Sequence, residues 1–228
     1  MALVRALRRA LATLADPAKA PAMQAYMKSE MPYLGVQAPQ LRQAAKSVFA
    51  EHPLATFETW RDTVLELWRS ARYREERYAA IELAGNPRYR GFRTLEALPL
   101  YEEIIITGAW WDYVDTIATH LLGELLRHDL DAMGPLLRQW ALSENIWKRR
   151  AAILAQLSFK RDTDQKLLYD CIAPSIDASE FFLRKAIGWA LREYAKTEPA
   201  EVIRFVRRHE ARLSALTKRE ALRRLATI

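Results

Sequence analysis

The chain has 228 residues, and half of them are apolar, so it can bury a sizeable core and is not of the disordered class. Its single cysteine, Cys171, excludes an intrachain disulfide and a thiolate zinc cluster. The formal net charge of +7 favours a polyanionic partner, with nucleic acid ahead of anionic lipid, although charge alone does not decide between them.

The N-terminal stretch "MALVRALRRALATLA" is predicted to form an amphipathic helix. Arginines interrupt its apolar run, which argues against a signal peptide. No segment approaches the roughly 18 uninterrupted apolar residues that a membrane-spanning helix needs. A basic amphipathic helix can lie on a membrane surface, but packing on its own domain is the favoured interpretation.

A repeat runs through the chain. Four segments share a basic residue, a small or apolar step and then an apolar helix: "QLRQAAKSVFA", "EERYAAIELAG", "KRRAAILAQLS" and "LRKAIGWALRE". Their basic residues are Arg42, Arg77, Arg150 and Lys185. Positions 42 and 77 are 35 residues apart, and so are positions 150 and 185. Glu220 lies another 35 residues after Lys185. This period is typical of a solenoid of paired helices.

Second amphipathic helices, such as "TFETWRDTVLELWRS", lie between the matched ones, and Ser179 and Thr197 are predicted N-caps. The chain is therefore predicted to be all-α, a single HEAT-like α-solenoid domain over residues 1–228. It would pair antiparallel helices and form a concave basic groove. The alternative is a helical bundle without repeats, in which the spacing is accidental.

The basic row admits two interpretations. Residues one period apart stack across neighbouring repeats, so the four cations could form a stripe that follows a phosphate backbone. They could equally pair with acids of the adjacent repeat as ladders. Spacing alone leaves both open.

Asp115 occupies the basic position of the middle repeat, since 150 minus 115 is 35. Trp111 lies one helical turn before it, and Trp189 lies one turn after Lys185. A carboxylate in a phosphate-binding row either acts on a cationic species or forms a ladder with Arg150. In the second case the two tryptophans would be core residues.

The segments "WWDYVDTIA", "NIWKRRAAILAQL", "EFFLRKAIGWALREYAKT" and "YMKSEMPYLGV" resemble AlkD-type DNA alkylation repair glycosylases. The resemblance runs from about Met23 to Arg224. It implies a HEAT-like fold with a basic concave face for duplex DNA, and excision of cationic N3- and N7-alkylated purines. It also implies a monomer that needs no metal or organic cofactor.

The resemblance further implies that Asp115 is the catalytic acid and that Trp111 and Trp189 contact the sugar. Arg150 matches a basic residue near the lesion, whereas Tyr26 and Gln37 match the N-terminal contacts with DNA less closely. The predicted DNA contacts are Arg150, Tyr26, Gln37, Arg42, Lys185 and Arg192.

An alkylated purine already carries a positive charge, so it leaves readily, and a fixed carboxylate can stabilise the resulting oxocarbenium-like sugar. The sequence contains no evident lysine nucleophile, which predicts a monofunctional enzyme that leaves an abasic site. His120 and Glu124 have metal-ligand spacing but no third ligand, so no metal site is predicted. A cytoplasmic, nucleoid-associated location is expected. The alternative function is a non-catalytic HEAT module that binds DNA or an acidic protein.

Overall fold

The computed structural model describes residues 1–223 and 225, and every regular element in that part of the chain is helical, which confirms the all-α prediction. Arg224, where the family resemblance ends, lies outside the described residues. The contacts divide the chain into two compact units, Met1–Leu100 and a second unit that begins at Tyr101. A single domain over residues 1–228 and one concave groove stay predictions.

The first unit contains five α-helices and two short 3₁₀ turns, Pro87–Phe92 and Leu95–Ala97. The helices are α1 (Ala2–Thr13), α2 (Ala20–Met27), α3 (Ala38–Glu51), α4 (Phe57–Arg69) and α5 (Arg74–Ala84). Helix α3 packs between α1 and α5, and α4 packs against both α1 and α5. The unit boundary falls inside α6 (Leu98–Gly108).

Helix α1 forms as the N-terminal pattern predicts. Its apolar stripe is buried against α3 and α4, while Arg5 and Arg9 on the other side are exposed. Arg8 anchors the same helix, because its Nε donates to the Glu76 carboxylate at 2.7 Å. The stripe consists of Leu3, Val4, Leu7 and Leu11. Helix α1 therefore packs on its own unit, as the favoured interpretation of its sequence predicts.

A buried carboxylate fixes the loop that leads into α3. Glu75 accepts hydrogen bonds from the backbone N–H groups of Leu34, Gly35 and Val36 at 2.9–3.1 Å. Gly35 has φ +86, and a Cβ there would lie 2.0 Å from the Asp16 carbonyl oxygen, so only glycine fits. The start of α3 is consequently held at one position relative to α5.

The second unit contains eight further α-helices and one π-helical segment, Ile117–Leu122, as well as short 3₁₀ turns. The π segment joins the first two helices without a break. The helices are α7 (Trp111–Thr116), α8 (Gly123–His128), α9 (Leu130–Ala141), α10 (Ile146–Leu154), α11 (Gln165–Ile172), α12 (Phe181–Tyr194), α13 (Pro199–Arg208) and α14 (Ala215–Leu222).

These helices stack in two rows. Helices α7, α10, α12 and α14 each pack against the next and form what we call the site row. Helix α11 contacts α9, and the Tyr169 ring of α11 stacks on Phe205 of α13 at 4.3 Å, so α9, α11 and α13 form the opposite row. The site-row helices begin at residues 111, 146, 181 and 215, so two of the three intervals equal the predicted 35 residues and the last is 34.

Both predicted N-caps are one residue too early. Helix α12 begins at Phe181, because the Glu180 carbonyl is the first to accept helical N–H groups, from Leu183 and Arg184. Helix α13 begins at Pro199, whose fixed φ suits the first helical position, so its N-cap is Glu198. Neither N-cap side chain bonds the backbone.

Gly188 sets the distance between α12 and α14. A Cβ at this position would lie 2.5 Å from the Glu220 Cβ and 3.2 Å from the Thr217 carbonyl oxygen. Neither atom is the end of a flexible side chain, so the close helix contact depends on glycine.

We expect Gly188→Ala to lower the free energy of unfolding by about 1–3 kcal/mol, because it overpacks this contact. Gly134→Ala in α9 is the matched control. Its Cβ meets only side-chain ends, the Arg138 guanidinium at 3.2 Å and Leu130 Cδ1 at 4.0 Å, and the variant should gain up to about 1 kcal/mol from helix propensity. Urea unfolding followed by circular dichroism measures both. Equal stability of the two variants would contradict the role of Gly188.

Candidate active site

The most buried ion pair of the site row joins Asp115 of α7 to Arg150 of α10. Arg150 Nε donates to Asp115 Oδ1 at 2.7 Å, and Nη2 donates to Oδ2 at 2.7 Å. The Arg150 side chain is 5% exposed and that of Asp115 is 13% exposed. The geometry is a bidentate, charge-assisted pair across one 35-residue period, and the carboxylate keeps a narrow opening to solvent.

Arg150 is also bound to the third helix of the row. Its Nη1 donates to the backbone carbonyl of Phe182 at 2.5 Å, and its guanidinium carbon lies 5.9 Å from the Phe182 ring centroid. All three guanidinium nitrogens therefore donate within the second unit. In this arrangement Arg150 orients Asp115, and its burial leaves little of the guanidinium accessible for the predicted contact with a phosphate.

Three aromatic rings pack beside the pair. Trp110, the N-cap of α7, lies 6.2 Å from the Trp147 ring centroid and 5.3 Å from that of Phe182. Trp147 and Phe182 are 5.0 Å apart. The cluster joins the N-terminal ends of α7, α10 and α12. Its Phe182 ring lies next to the Arg150 guanidinium and so adds apolar surface to the site.

Burial raises the pKa of the Asp115 carboxyl, and the hydrogen bonds and charge of Arg150 oppose that rise. The nearby Asp112 carboxylate adds to the rise. A carboxylate that is desolvated but held by a guanidinium needs little reorganisation when a positive charge develops next to it. The site can therefore stabilise a cationic transition state.

Trp111 and Trp189 are only partly buried, unlike the core residues expected if Asp115 formed a ladder. Trp111 is the first residue of α7, one turn before Asp115. Trp189 lies on α12, which packs on the other side of α10 from α7. The indoles that pack inside the unit are those of Trp110 and Trp147.

A second ionic cluster lies further along the site row. Glu220 of α14 accepts hydrogen bonds from Lys185 Nζ at 2.9 Å and from Arg192 Nη1 at 2.6 Å. Both cations belong to α12. The first lies 35 residues before Glu220, so this pairing repeats the spacing of Asp115 and Arg150 with the signs reversed.

The remaining predicted residues belong to the first unit. Tyr26 on α2 is 78% exposed, and Gln37, the N-cap of α3, is exposed. Arg42 on α3 lies 3.7 Å from the Glu82 carboxylate, and the Arg77 guanidinium lies 4.6 Å from the Trp68 ring centroid. The four cations of the predicted stripe thus each have an acidic or aromatic partner. Ladders across one period are present for Arg150 and Lys185.

Two features of the site have no signature in the sequence. The Phe182 carbonyl that holds Arg150 is a backbone group. The π-helical segment begins two residues after Asp115, and Thr119 Oγ1 within it donates to the Asp115 carbonyl at 2.7 Å. Such segments are rare and often occur at functional sites. Glu220 could have been found, because it stands in the 35-residue register.

Within residues 1–223 and 225, no group of three or more histidine, cysteine, aspartate or glutamate side chains could hold a metal ion. His120 is exposed. In the same part of the chain, no helix is both long and apolar enough to cross a membrane.

The family model described as DNA alkylation repair enzyme matches residues 7–225. The chain belongs to this family. The DNA alkylation repair fold is also found in a solved structure described as a predicted DNA alkylation repair enzyme from Enterococcus faecalis. That protein is 32% identical, with a TM-score of 0.84 over 94% of this chain and 98% of its own. Among curated proteins, none matches the chain.

We expect Arg150→Gln to lower the free energy of unfolding by about 3–5 kcal/mol, because it leaves the Asp115 carboxylate largely buried without its guanidinium. Arg212→Gln is the control, since its pair with Asp177 is exposed, and its effect should stay within about 0.5 kcal/mol. Urea unfolding measures both variants. A midpoint for Arg150→Gln equal to that of the control would show that the pair contributes no stability.

Proposed function

We propose that this DNA alkylation repair protein is a monofunctional DNA glycosylase. It would hydrolyse the N-glycosidic bond of cationic N3- and N7-alkylated purines in duplex DNA and leave an abasic site. The observation that carries the proposal is the Asp115 carboxylate, which is desolvated, held bidentately by Arg150 and still 13% open to solvent.

The chemistry follows from the charge of the substrate. As the bond between C1′ and the purine nitrogen breaks, the electron pair goes to the base, which departs neutral, and the sugar becomes oxocarbenium-like. The Asp115 carboxylate stabilises that cation and orients a water that adds at C1′. The water's proton passes to the carboxylate or to solvent. The base needs no protonation, because alkylation has already made it cationic.

Each partner in the site has a distinct part in this reaction. Arg150 favours the ionised carboxylate and holds it in one orientation, since its Nε and Nη2 each donate to a different oxygen of Asp115. Trp111 and Trp189, partly exposed on either side of α10, would pack on the sugar and add attraction for a cation.

The remaining proposed contacts go to the DNA backbone, through exposed or partly exposed side chains on both units. A monomer without metal or organic cofactor suffices for this reaction, and a cytoplasmic location near the nucleoid fits it. These contacts are Tyr26, Gln37, Arg42, Lys185 and Arg192.

A second candidate is a module that binds DNA or an acidic protein without catalysis. The observation that favours it is the same ion pair, because a carboxylate with both oxygens bonded to Arg150 also satisfies a purely structural ladder. Such a module would bind duplex DNA but would release no base.

We expect Asp115→Asn to lower the single-turnover rate of base release about 10²–10³-fold, because it removes the group that stabilises the developing charge. The substrate is a duplex containing one N7-methylguanine, and free base is measured by chromatography. Asp177→Asn, an exposed carboxylate in a loop of the same unit, should retain the wild-type rate. Release by Asp115→Asn at the wild-type rate would remove Asp115 from the mechanism, and binding without release by the wild type would favour the second candidate.

The acid limb of the rate profile should report Asp115. Burial raises the pKa of this carboxyl above its ordinary value of 3.8, so activity should be complete at higher pH and lost as pH falls through that raised pKa. Arg150→Gln removes the interaction that opposes the rise, so its acid limb should lie at higher pH. The measurement is single-turnover release at a series of pH values, corrected for depurination without enzyme. An acid limb that Arg150→Gln does not move would argue against this assignment.

A further inference from the structure

The cluster of Glu220, Lys185 and Arg192 carries a further inference, which rests on the proposed function. One carboxylate here bonds two cations of the same helix, at 2.9 and 2.6 Å. The Glu220 side chain is 11% exposed, whereas Lys185 is 37% exposed and Arg192 is 19% exposed. Glu220 is therefore the most buried member of the cluster, Arg192 is partly buried and Lys185 is the most exposed to solvent.

The cluster lies next to a proposed sugar-contacting residue. Lys185, Trp189 and Arg192 follow one another at intervals of four and three residues, so they lie along one side of α12. Gly188 on the same helix lets Glu220 approach closely, because a Cβ there would be 2.5 Å from the Glu220 Cβ. The close approach at Gly188 is what brings the carboxylate between the two cations.

The charges do not cancel. Lys185 and Arg192 contribute +2 and Glu220 contributes −1, so the cluster keeps a net charge of +1. The hydrogen bond from Lys185 lowers the pKa of Glu220, which keeps the carboxylate ionised at neutral pH. Glu220 uses one donor of Lys185 and one nitrogen of Arg192, which leaves further donors on each for a phosphate.

We propose that Glu220 is a specificity-determining residue that limits the attraction between this face of α12 and any DNA phosphate. Attraction to phosphate is independent of sequence and damage, so it strengthens binding to intact DNA as much as binding to lesions. A repair enzyme must leave intact DNA quickly. Glu220 holds the two cations in place and lowers their combined charge from +2 to +1. This reduces the affinity for intact duplex.

The test is the salt dependence of binding to an undamaged duplex, measured by fluorescence anisotropy. Glu220→Gln keeps the side-chain shape and raises the cluster charge from +1 to +2. It should bind several-fold more tightly at low salt, and the slope of log K against log salt should steepen by up to about 0.9. The ratio of affinities for damaged and undamaged duplex should fall.

Two further variants separate charge from structure. Lys185→Gln has a cluster charge of 0 and should have a flatter slope than the wild type. Lys185→Gln combined with Glu220→Gln restores +1 and should return the slope toward the wild-type value. If Glu220 only supported packing, the salt slopes of the variants would not follow the order of their cluster charges. If Glu220→Gln alone is unstable, Lys185→Gln and the double variant can still be compared, because they differ only in the charge at position 220.

Asp170→Asn is the matched control. Asp170 on α11 also bonds two cations, Arg138 Nε at 2.8 Å and Lys166 Nζ at 2.9 Å, but it belongs to the opposite row. Its loss should leave the salt slope unchanged. An equal steepening in Asp170→Asn, or an unchanged or flatter slope in Glu220→Gln, would overturn the inference.

Base release from an N7-methylguanine duplex by the wild-type protein is measured on the same preparations. If the wild type releases base but the slopes do not follow the cluster charge, only the inference about Glu220 fails. If the wild type neither binds duplex DNA nor releases base, the proposed function fails and this inference fails with it.

Discussion

The bidentate pair of Asp115 and Arg150 is the interaction on which the second unit depends. Burying a carboxylate costs several kcal/mol unless a cation replaces its water, and only a guanidinium can bond both oxygens while keeping a further donor. That donor goes to the Phe182 carbonyl, so one side chain ties together α7, α10 and α12. The Phe182 ring lies beside the Arg150 guanidinium and packs in turn on Trp110 and Trp147. The same constraint leaves an ionised carboxylate at the site with little freedom to reorient.

Ion pairs between neighbouring helices of the site row occur at the 35-residue spacing of the repeat. Asp115 with Arg150, and Lys185 with Glu220, are two rungs in which residues 35 apart on neighbouring helices carry opposite charges. In the first rung the acid comes first in the chain, and in the later rung the base comes first. The enclosed member also alternates, because Arg150 is the more buried partner in one rung and Glu220 in the other. The rungs are thus suited to different tasks, one to offering an anion and the other to offering cations.

The sequence alone was enough for the register. Apolar spacing and the 35-residue period located the site-row helices and placed Asp115, Arg150, Lys185 and Glu220 at equivalent positions of successive repeats. Spacing could not decide between a cationic stripe and ladders, because it does not tell which acid each cation meets. The helix starts at Phe181 and Pro199 were missed by one residue, since Ser and Thr near a helix end resemble caps whether or not they bond the backbone. The Phe182 carbonyl could not be foreseen, because every residue has one.

The π-helical segment Ile117–Leu122 has a consequence for comparing this chain with others. A π turn accommodates one residue more than an α turn, so side chains beyond Leu122 are rotated by roughly a quarter-turn from where uniform α-helical counting would put them. A homologue that lacks one residue here can form a continuous α-helix and still turn the same faces of α7 and α8 toward the core. An alignment without a gap across this stretch would then pair solvent-facing positions with Gly123, which lies close to the Ala155 backbone.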